Sequence, residues 1–143
     1  RDYYASRGLG DVYKRQCITQ KIITDSIDAV KIYSACTVGV PVKDTIKIVD
    51  EDQMGVDTPD RSRLWQVQTP QSFNRELLLT CYDGLAHDKC QVITDDTMIV
   101  ERYSSVRTKV IMGAYENLKI TTPEDLKIAS NFLKKDVDTK MVK

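Results

Sequence analysis

The sequence predicts an α/β domain with a mostly parallel sheet covered by helices on both sides. Three observations carry that prediction. An amphipathic run extends from Ile18 to Tyr33, an almost wholly apolar stretch from Ala35 to Val42 is too short for a helix, and the same alternation of helix and strand recurs to the end of the chain. With 143 residues, 41% hydrophobic and 29% charged, there is enough apolar material for one core. One domain is therefore expected.

In the first helix Ile18, Ile22, Ile23, Ile27, Val30 and Tyr33 share one face, which is predicted to pack on a sheet. Ala35 to Val42, stopped by Pro41, reads as a strand covered on both faces. Thr45 to Val49 stays extended, Asp50 to Gly55 is a turn cluster and Val56 to Thr58 runs back, which describes a charged hairpin arm over about residues 43–60. A two-stranded hairpin alone is marginal in water, so the arm is expected to lie against something, a second copy of the chain being one candidate. Leu64 to Gln68 returns to a buried strand that Pro70 should end, with Trp65 in the core.

Asn74 is a predicted cap for a helix whose inner face is Leu77, Leu78, Cys81, Tyr82 and Leu85. Thr94, Asp95 and Asp96 start a short helix reaching about Tyr103, where a hydroxyl cap and first-turn carboxylates suit the free N–H groups. Those two carboxylates also read as a pair for acid/base work or magnesium, and the helix terminus explains them better. Thr108 to Met112 is a strand, and Leu118 to Thr121 is short and extended. Thr122-Pro123-Glu124-Asp125 then combines a threonine cap, a first-turn proline and an acid at the third position, opening a helix with Leu126, Ala129, Phe132 and Leu133 inward. From Lys135 the tail is polar and expected to fray. In a parallel sheet the polar turns at the carboxyl ends of the strands are the place for a site: Lys43 to Thr45, Arg61, Thr69 to Gln71, Thr94 to Asp96 and Glu116 to Lys119.

Composition excludes several functions. Lys and Arg balance Asp and Glu at 21 each, so nothing in the charge asks for nucleic acid. No stretch approaches the roughly 18 apolar residues a membrane span needs. Cys17, Cys36, Cys81 and Cys90 show no C-x-x-C spacing, and a single histidine, His87, has no second imidazole with which to share a metal. Scattered cysteines of this kind suit a reducing, cytoplasmic setting. Residues 1–16 stand apart: they carry three of the seven tyrosines, lack periodicity and stop where the first helix begins. DVYKRQ resembles translated sequencing-library adaptor, so this stretch is set aside as non-native, leaving 17–143 as the domain. The alternative reading of residues 1–16, a basic nucleic-acid-binding arm, rests on only four Lys/Arg.

Four stretches, PVKDT (Pro41 to Thr45), DRSRLWQVQTPQSF (Asp60 to Phe73), TDD (Thr94 to Asp96) and ENLKITTPEDL (Glu116 to Leu126), occur in the order and spacing found in the 2-C-methyl-D-erythritol 4-phosphate cytidylyltransferases, a family the chain resembles from Cys17 to about Leu133. The resemblance implies a Rossmann-like nucleotidyltransferase fold with a protruding arm, and transfer of CMP from CTP to methylerythritol phosphate with release of pyrophosphate, in the non-mevalonate route to isoprenoid precursors. It implies magnesium (Mg2+) as the ion, CTP as co-substrate, and a homodimer in which the arm reaches the neighbouring subunit. By motif position, Arg61 and Lys119 would hold the acceptor phosphate for attack, while Thr45, Thr69 and Thr94 line the sugar-phosphate site. Those residue types suit the chemistry, because an in-line attack of one phosphate on another needs fixed cations where negative charge gathers. A planar guanidinium fork and a compact ammonium supply them. A turn and a helix cap account equally well for Thr69 and Thr94.

The family also carries an A-G-x-G-x-R loop, a P-K-Q lysine and an H-D-A-A-R-P stretch that serve the nucleotide and the metal, and none of these occurs in the 143 residues. The chain is therefore expected to be an N-terminally truncated piece with the acceptor side of the enzyme, inactive alone and poorly soluble through exposed apolar edges. Two alternatives stay open. One is a ribitol 5-phosphate cytidylyltransferase, against which Trp65 and TDD weigh; the other is a non-catalytic dimerisation module of the same fold.

Overall fold

The computed structural model describes residues 17–88 and 92–141, with side chains as far as Phe132. The adaptor-like opening stretch, Cys90 and the inward placement of Leu133 lie outside the described residues. Helix α1, Gln20–Tyr33, is capped by Thr19, whose hydroxyl accepts the Ile22 N–H at 3.3 Å, and it ends on Ser34 in the left-handed region at φ 65°. It meets the sheet through small residues: Ile22, Ser26 and Ala29 are buried, and Ser26 Oγ lies 3.0 Å from Ser72 Oγ. That close approach turns part of the predicted apolar face outward, leaving Ile23 and Ile27 at 42% and 47% exposure.

Strand β1, Ala35–Pro41, is buried from Ala35 to Val40, as its apolar run predicts. The arm follows as β2, Ile48–Val49, and β3, Gly55–Asp57, an antiparallel pair exposed throughout and braced by Lys47 Nζ donating to Thr58 Oγ1 at 2.6 Å. Strand β4, Trp65–Phe73, then returns antiparallel to β1, and β5, Lys109–Met112, runs parallel to it, giving the order β4-β1-β5. Among the described strands the sheet is thus mixed where a mostly parallel one was expected. The connection explains the difference: no α-helix lies between β1 and β4, so the chain turns back on itself, whereas two α-helices separate β4 from β5 and allow a parallel return.

Pro70 does not end β4. The register steps from Val38↔Gln68 to Thr37↔Gln71, so Thr69 and Pro70 bulge out of the ladder, which absorbs a residue that has no N–H to give. The Thr69–Pro70 peptide is cis.

Helix α2, Arg75–Ala86, is capped by Asn74, which accepts from Glu76 N and Leu77 N at 3.0 and 3.2 Å. His87 ends it, exposed. Helix α3 spans Asp96–Tyr103. Between these two helices and the start of β1 sits a core of Ala35, Cys81, Ile99 and Val100, surrounded by Phe73, Leu77, Leu78, Tyr82 and Leu85. The predicted inner face of α2 is therefore borne out, and Cys81 serves as a small hydrophobe. Cys36 is likewise buried, and burial pushes its thiol up against the opposing pull of Lys109.

At the other end of the sheet the core thins. Val67 and Met112 both pair with Gly39 and so share a face, joined by Trp65 and Val110 two residues away; exposures there run from 37% at Trp65 to 59% at Met112. Trp65 is thus a partly exposed sheet residue and not a core one, because no described helix covers this corner. No described helix is long and apolar enough to cross a membrane.

Helix α4, Pro123–Met141, continues past Lys135, where fraying was expected, and buries Ala129 while Leu126 stays 55% exposed. Its start is a reciprocal capping box: Asp125 accepts from Thr121 N at 3.0 Å and Thr122 N at 2.9 Å, and its own N–H donates to Thr122 Oγ1 at 3.2 Å. Those backbone bonds from Thr121 and then Thr122 hold the Asp125 carboxyl below its ordinary range. A depressed folded pKa means stability that is present above the unfolded value and lost as pH falls through the folded one. Acidification below the usual aspartate range is thus expected to loosen the start of α4 first. Amide exchange at Asp125 and Leu126 measures it, and Asp125→Asn should remove the dependence.

Candidate functional site

Of the sequence-predicted residues, Arg61 joins a set of contacts at the carboxyl end of β1 that leads to the loop after β5, and Thr69 is tied to the same loop through Asn117, whereas Thr45, Thr94 and Lys119 are placed separately. Arg61 opens a single 3-10 turn, Arg61–Arg63, capped by Asp60, which accepts from Ser62 N at 3.0 Å. Hydrogen bonds from Ser62, side chain and then backbone, keep the Asp60 carboxyl below its ordinary range. Arg61 is exposed and its Nη1 donates to the Lys43 carbonyl at 2.7 Å, so the guanidinium is laid against the base of the arm. The Lys43 ammonium in turn stands 3.4 Å above the ring of Tyr115, whose hydroxyl donates to the Pro41 carbonyl at 2.9 Å. Two cations are thereby fixed next to the loop that follows β5.

That loop is tied to the sheet at several points. Gly113 N donates to Gly39 O at 2.8 Å, Gln68 Nε2 to Ala114 O at 2.9 Å, and Asn117 Nδ2 to Thr69 O at 2.7 Å. Gly113 must lack a side chain, since a Cβ there would come within 2.3 Å of Gln68 Oε1 and 2.6 Å of Val38 Cγ1. Lys119 follows Asn117 by two residues and is exposed, its backbone held between Asn117 and the Thr121 end of the capping box.

The three threonines differ. Thr69 sits in the β4 bulge, inside a strand and not in a turn at its carboxyl end; its Oγ1 is buried with no hydrogen-bond partner among the described residues. Thr45 is exposed on the stretch entering the arm, two residues past Lys43. Thr94 is exposed, with its hydroxyl 3.7 Å from Met98 Sδ. It is not the cap of α3. Asp95 is, accepting from Met98 N at 2.9 Å, and a carboxylate in that place leaves the threonine without a capping duty.

Asp95 also accepts from Gln71 Nε2 at 2.9 Å, which ties the start of α3 to β4, and Asp96 accepts from Tyr82 Oη at 2.5 Å. With both carboxylates engaged in holding structure, the helix-terminus reading of the pair prevails over an acid/base one. Among the described residues no group of three or more His, Cys, Asp or Glu is placed to hold a metal ion. Gln68 and Tyr115 were not singled out from the sequence, and Lys43, Gln71 and Asn117 entered only as members of polar turns, with no role of their own. A polar side chain that is buried by a bulge in a distant strand leaves no periodic signal.

The comparison with known proteins bears on this arrangement as a whole. Residues 12–135 match the sequence model of the family described as IspD, 2-C-methyl-D-erythritol 4-phosphate cytidylyltransferase. The chain belongs to that family. A 2-C-methyl-D-erythritol 4-phosphate cytidylyltransferase from Lachnospira eligens is 46% identical over 121 residues, which is 84% of this chain and 53% of that protein. The same enzyme from Caldanaerobacter subterraneus subsp. tengcongensis is 48% identical over 121 residues, 85% of this chain and 52% of the relative.

Among solved structures, the 4-diphosphocytidyl-2C-methyl-D-erythritol synthase of Anaerococcus prevotii superposes with a TM-score of 0.77 at 32% identity, over 84% of this chain and 55% of that one. The Thermus thermophilus cytidylyltransferase, at 23% identity and a TM-score of 0.73 over 85% of this chain and 58% of its own, shows the shared fold. The described mixed α/β domain is therefore the family's. The chain spans about half the length of the curated relatives it matches.

Proposed function

We propose that this chain forms the acceptor side of a cytidylyltransferase that moves CMP from CTP to the phosphate of 2-C-methyl-D-erythritol 4-phosphate and releases pyrophosphate. The observation that carries the reading is that both family-matched cations are exposed on backbone that is held in place, Arg61 on its Asp60-capped turn and Lys119 between Asn117 and Thr121. Lys119 and the Arg61 of a second copy hold the acceptor phosphate and offset its repulsion with the incoming triphosphate, so that an oxygen of the acceptor attacks the α-phosphorus in line. Thr45, Thr69 and Thr94 present hydroxyls to the sugar and its phosphate. The role assigned to this chain is confined to the acceptor.

The arm is the proposed dimer contact. Ile46, Ile48, Val49, Met54 and Val56 are all at least 40% exposed along it, which leaves apolar area for a second copy to cover. In that assembly Arg61, at the arm's base, serves the neighbouring pocket. The setting is cytoplasmic.

The test joins residues 17–141 to the N-terminal half of the Lachnospira eligens relative and follows pyrophosphate release. CTP-dependent release is expected with methylerythritol phosphate, with ribitol 5-phosphate slower by roughly tenfold or more, and none from the 143-residue chain alone. A folded joined protein that is inert, or that prefers ribitol 5-phosphate, defeats the proposed substrate; release by the chain alone defeats its restriction to the acceptor.

A further inference from the structure

Asn117 is 1% exposed, although it lies in a loop and only two residues from an exposed lysine. Burying an amide costs stability unless its hydrogen-bonding groups are matched, so a residue needed only to fill space there would be apolar. The match is on the donor side, Asn117 Oδ1 being buried with no hydrogen-bond partner among the described residues. Where β4 bulges at Thr69 and Pro70, the ladder to β1 is interrupted, and the Thr69 carbonyl is taken by Asn117 Nδ2 at 2.7 Å. Gln68, the last paired residue before the bulge, donates to Ala114 O at 2.9 Å, and Asn117 N closes the turn onto that same carbonyl at 3.0 Å. The bulge that Pro70 imposes thus creates the acceptor to which the loop is docked.

On the far side of Lys119 the backbone is fixed again, by Thr121 N and Thr122 N on Asp125. Lys119 is therefore two residues from an anchor in either direction. Successive Cα atoms are about 3.8 Å apart, so so short a span leaves the lysine backbone little freedom while its side chain reaches into solvent.

Resting on the acceptor-phosphate reading of Lys119, we propose that Asn117 is a positioning residue: by holding the loop to the β4 bulge, it aims Lys119 at the phosphate of the sugar substrate. Asn117→Asp tests this with little change of shape, since it replaces the N–H donor facing the Thr69 carbonyl with a second acceptor. Amide exchange of the 143-residue chain is expected to quicken by roughly tenfold or more at Leu118, Lys119 and Ile120, while Val38 and Val40 on β1 keep their protection. Unchanged exchange in the loop overturns the proposal. So does equal acceleration in β1, which would make Asn117 a general stability residue. Should Asn117→Asp fail to fold, Asn117→Ser, which keeps a donor in a smaller volume, is read by the same criteria.

The second measurement is the affinity for 2-C-methyl-D-erythritol 4-phosphate, by titration calorimetry, in a double-mutant cycle with Lys119→Ala. Asn117→Asp alone is expected to weaken binding about tenfold and to weaken it no further once Lys119 is gone. A loss that persists in full in the Lys119→Ala background overturns action through the lysine. If Lys119→Ala binds the sugar phosphate as tightly as the parent, the acceptor-phosphate reading itself fails, whatever the exchange data show for the loop.

Discussion

Lys119→Ala, made in the protein completed with a relative's N-terminal half, is expected to lower kcat/KM for the sugar phosphate by about 100-fold. A hydrogen bond to a charged group contributes about 1.5–3 kcal/mol, which corresponds to roughly 10–150-fold in rate or affinity. The upper part of that range applies because the lysine also offsets repulsion between two phosphates brought together. Lys119 stands on a backbone fixed on both sides, so little ordering opposes its contact with the substrate. Initial rates of pyrophosphate release over a range of sugar-phosphate concentrations measure the effect. Lys127→Ala, an exposed lysine on α4, is the charge-matched control and should leave the rate unchanged. A loss below about threefold for Lys119→Ala would place it among ordinary surface lysines.

Gly113→Ala should be the most damaging of the Gly→Ala changes at Gly39, Gly55, Gly84 and Gly113. The new Cβ would meet Gln68 Oε1 at 2.3 Å and Val38 Cγ1 at 2.6 Å, and neither neighbour is the loose end of a surface side chain. Val38 is wholly buried in the middle strand, and Gln68 is 7% exposed and holds the Ala114 carbonyl. Overpacking of this kind costs about 1–3 kcal/mol, and here the loop's dock to β4 is disturbed as well. Thermal unfolding followed by circular dichroism is expected to show a drop of roughly 5–15 °C. Gly55→Ala, where nothing lies within 4 Å of the added carbon, should shift the midpoint by a few degrees at most. Equal midpoints for the two variants would contradict the crowding inferred at Gly113.

The elements themselves were largely legible. Asn74 before Leu77, Leu78 and Cys81, and Thr122-Pro123-Glu124-Asp125 before α4, are local signals, and both caps form as read because a cap involves only residues within one turn of each other. The unbroken apolar run from Ala35 to Val40 likewise foretold a buried central strand. Arg61, Lys119, Thr45, Thr69 and Thr94 were found through motifs in register with a family. Periodicity would not have distinguished them from solvated side chains.

What the chain's order of residues determined by itself was the class of domain, the helices with their caps, the arm and the family. Only the tertiary structure decided that β4 runs against β1, that Pro70 makes a bulge instead of an end, and that Asp95 rather than Thr94 caps α3. It also decided that Trp65 lies partly in the open and that Asn117 docks on Thr69. The physical reason is range. Caps and amphipathic faces depend on neighbours three or four residues away, whereas strand direction, a bulge's vacant carbonyl and the partner that fills it depend on residues such as Thr69 and Asn117, 48 positions apart in the chain.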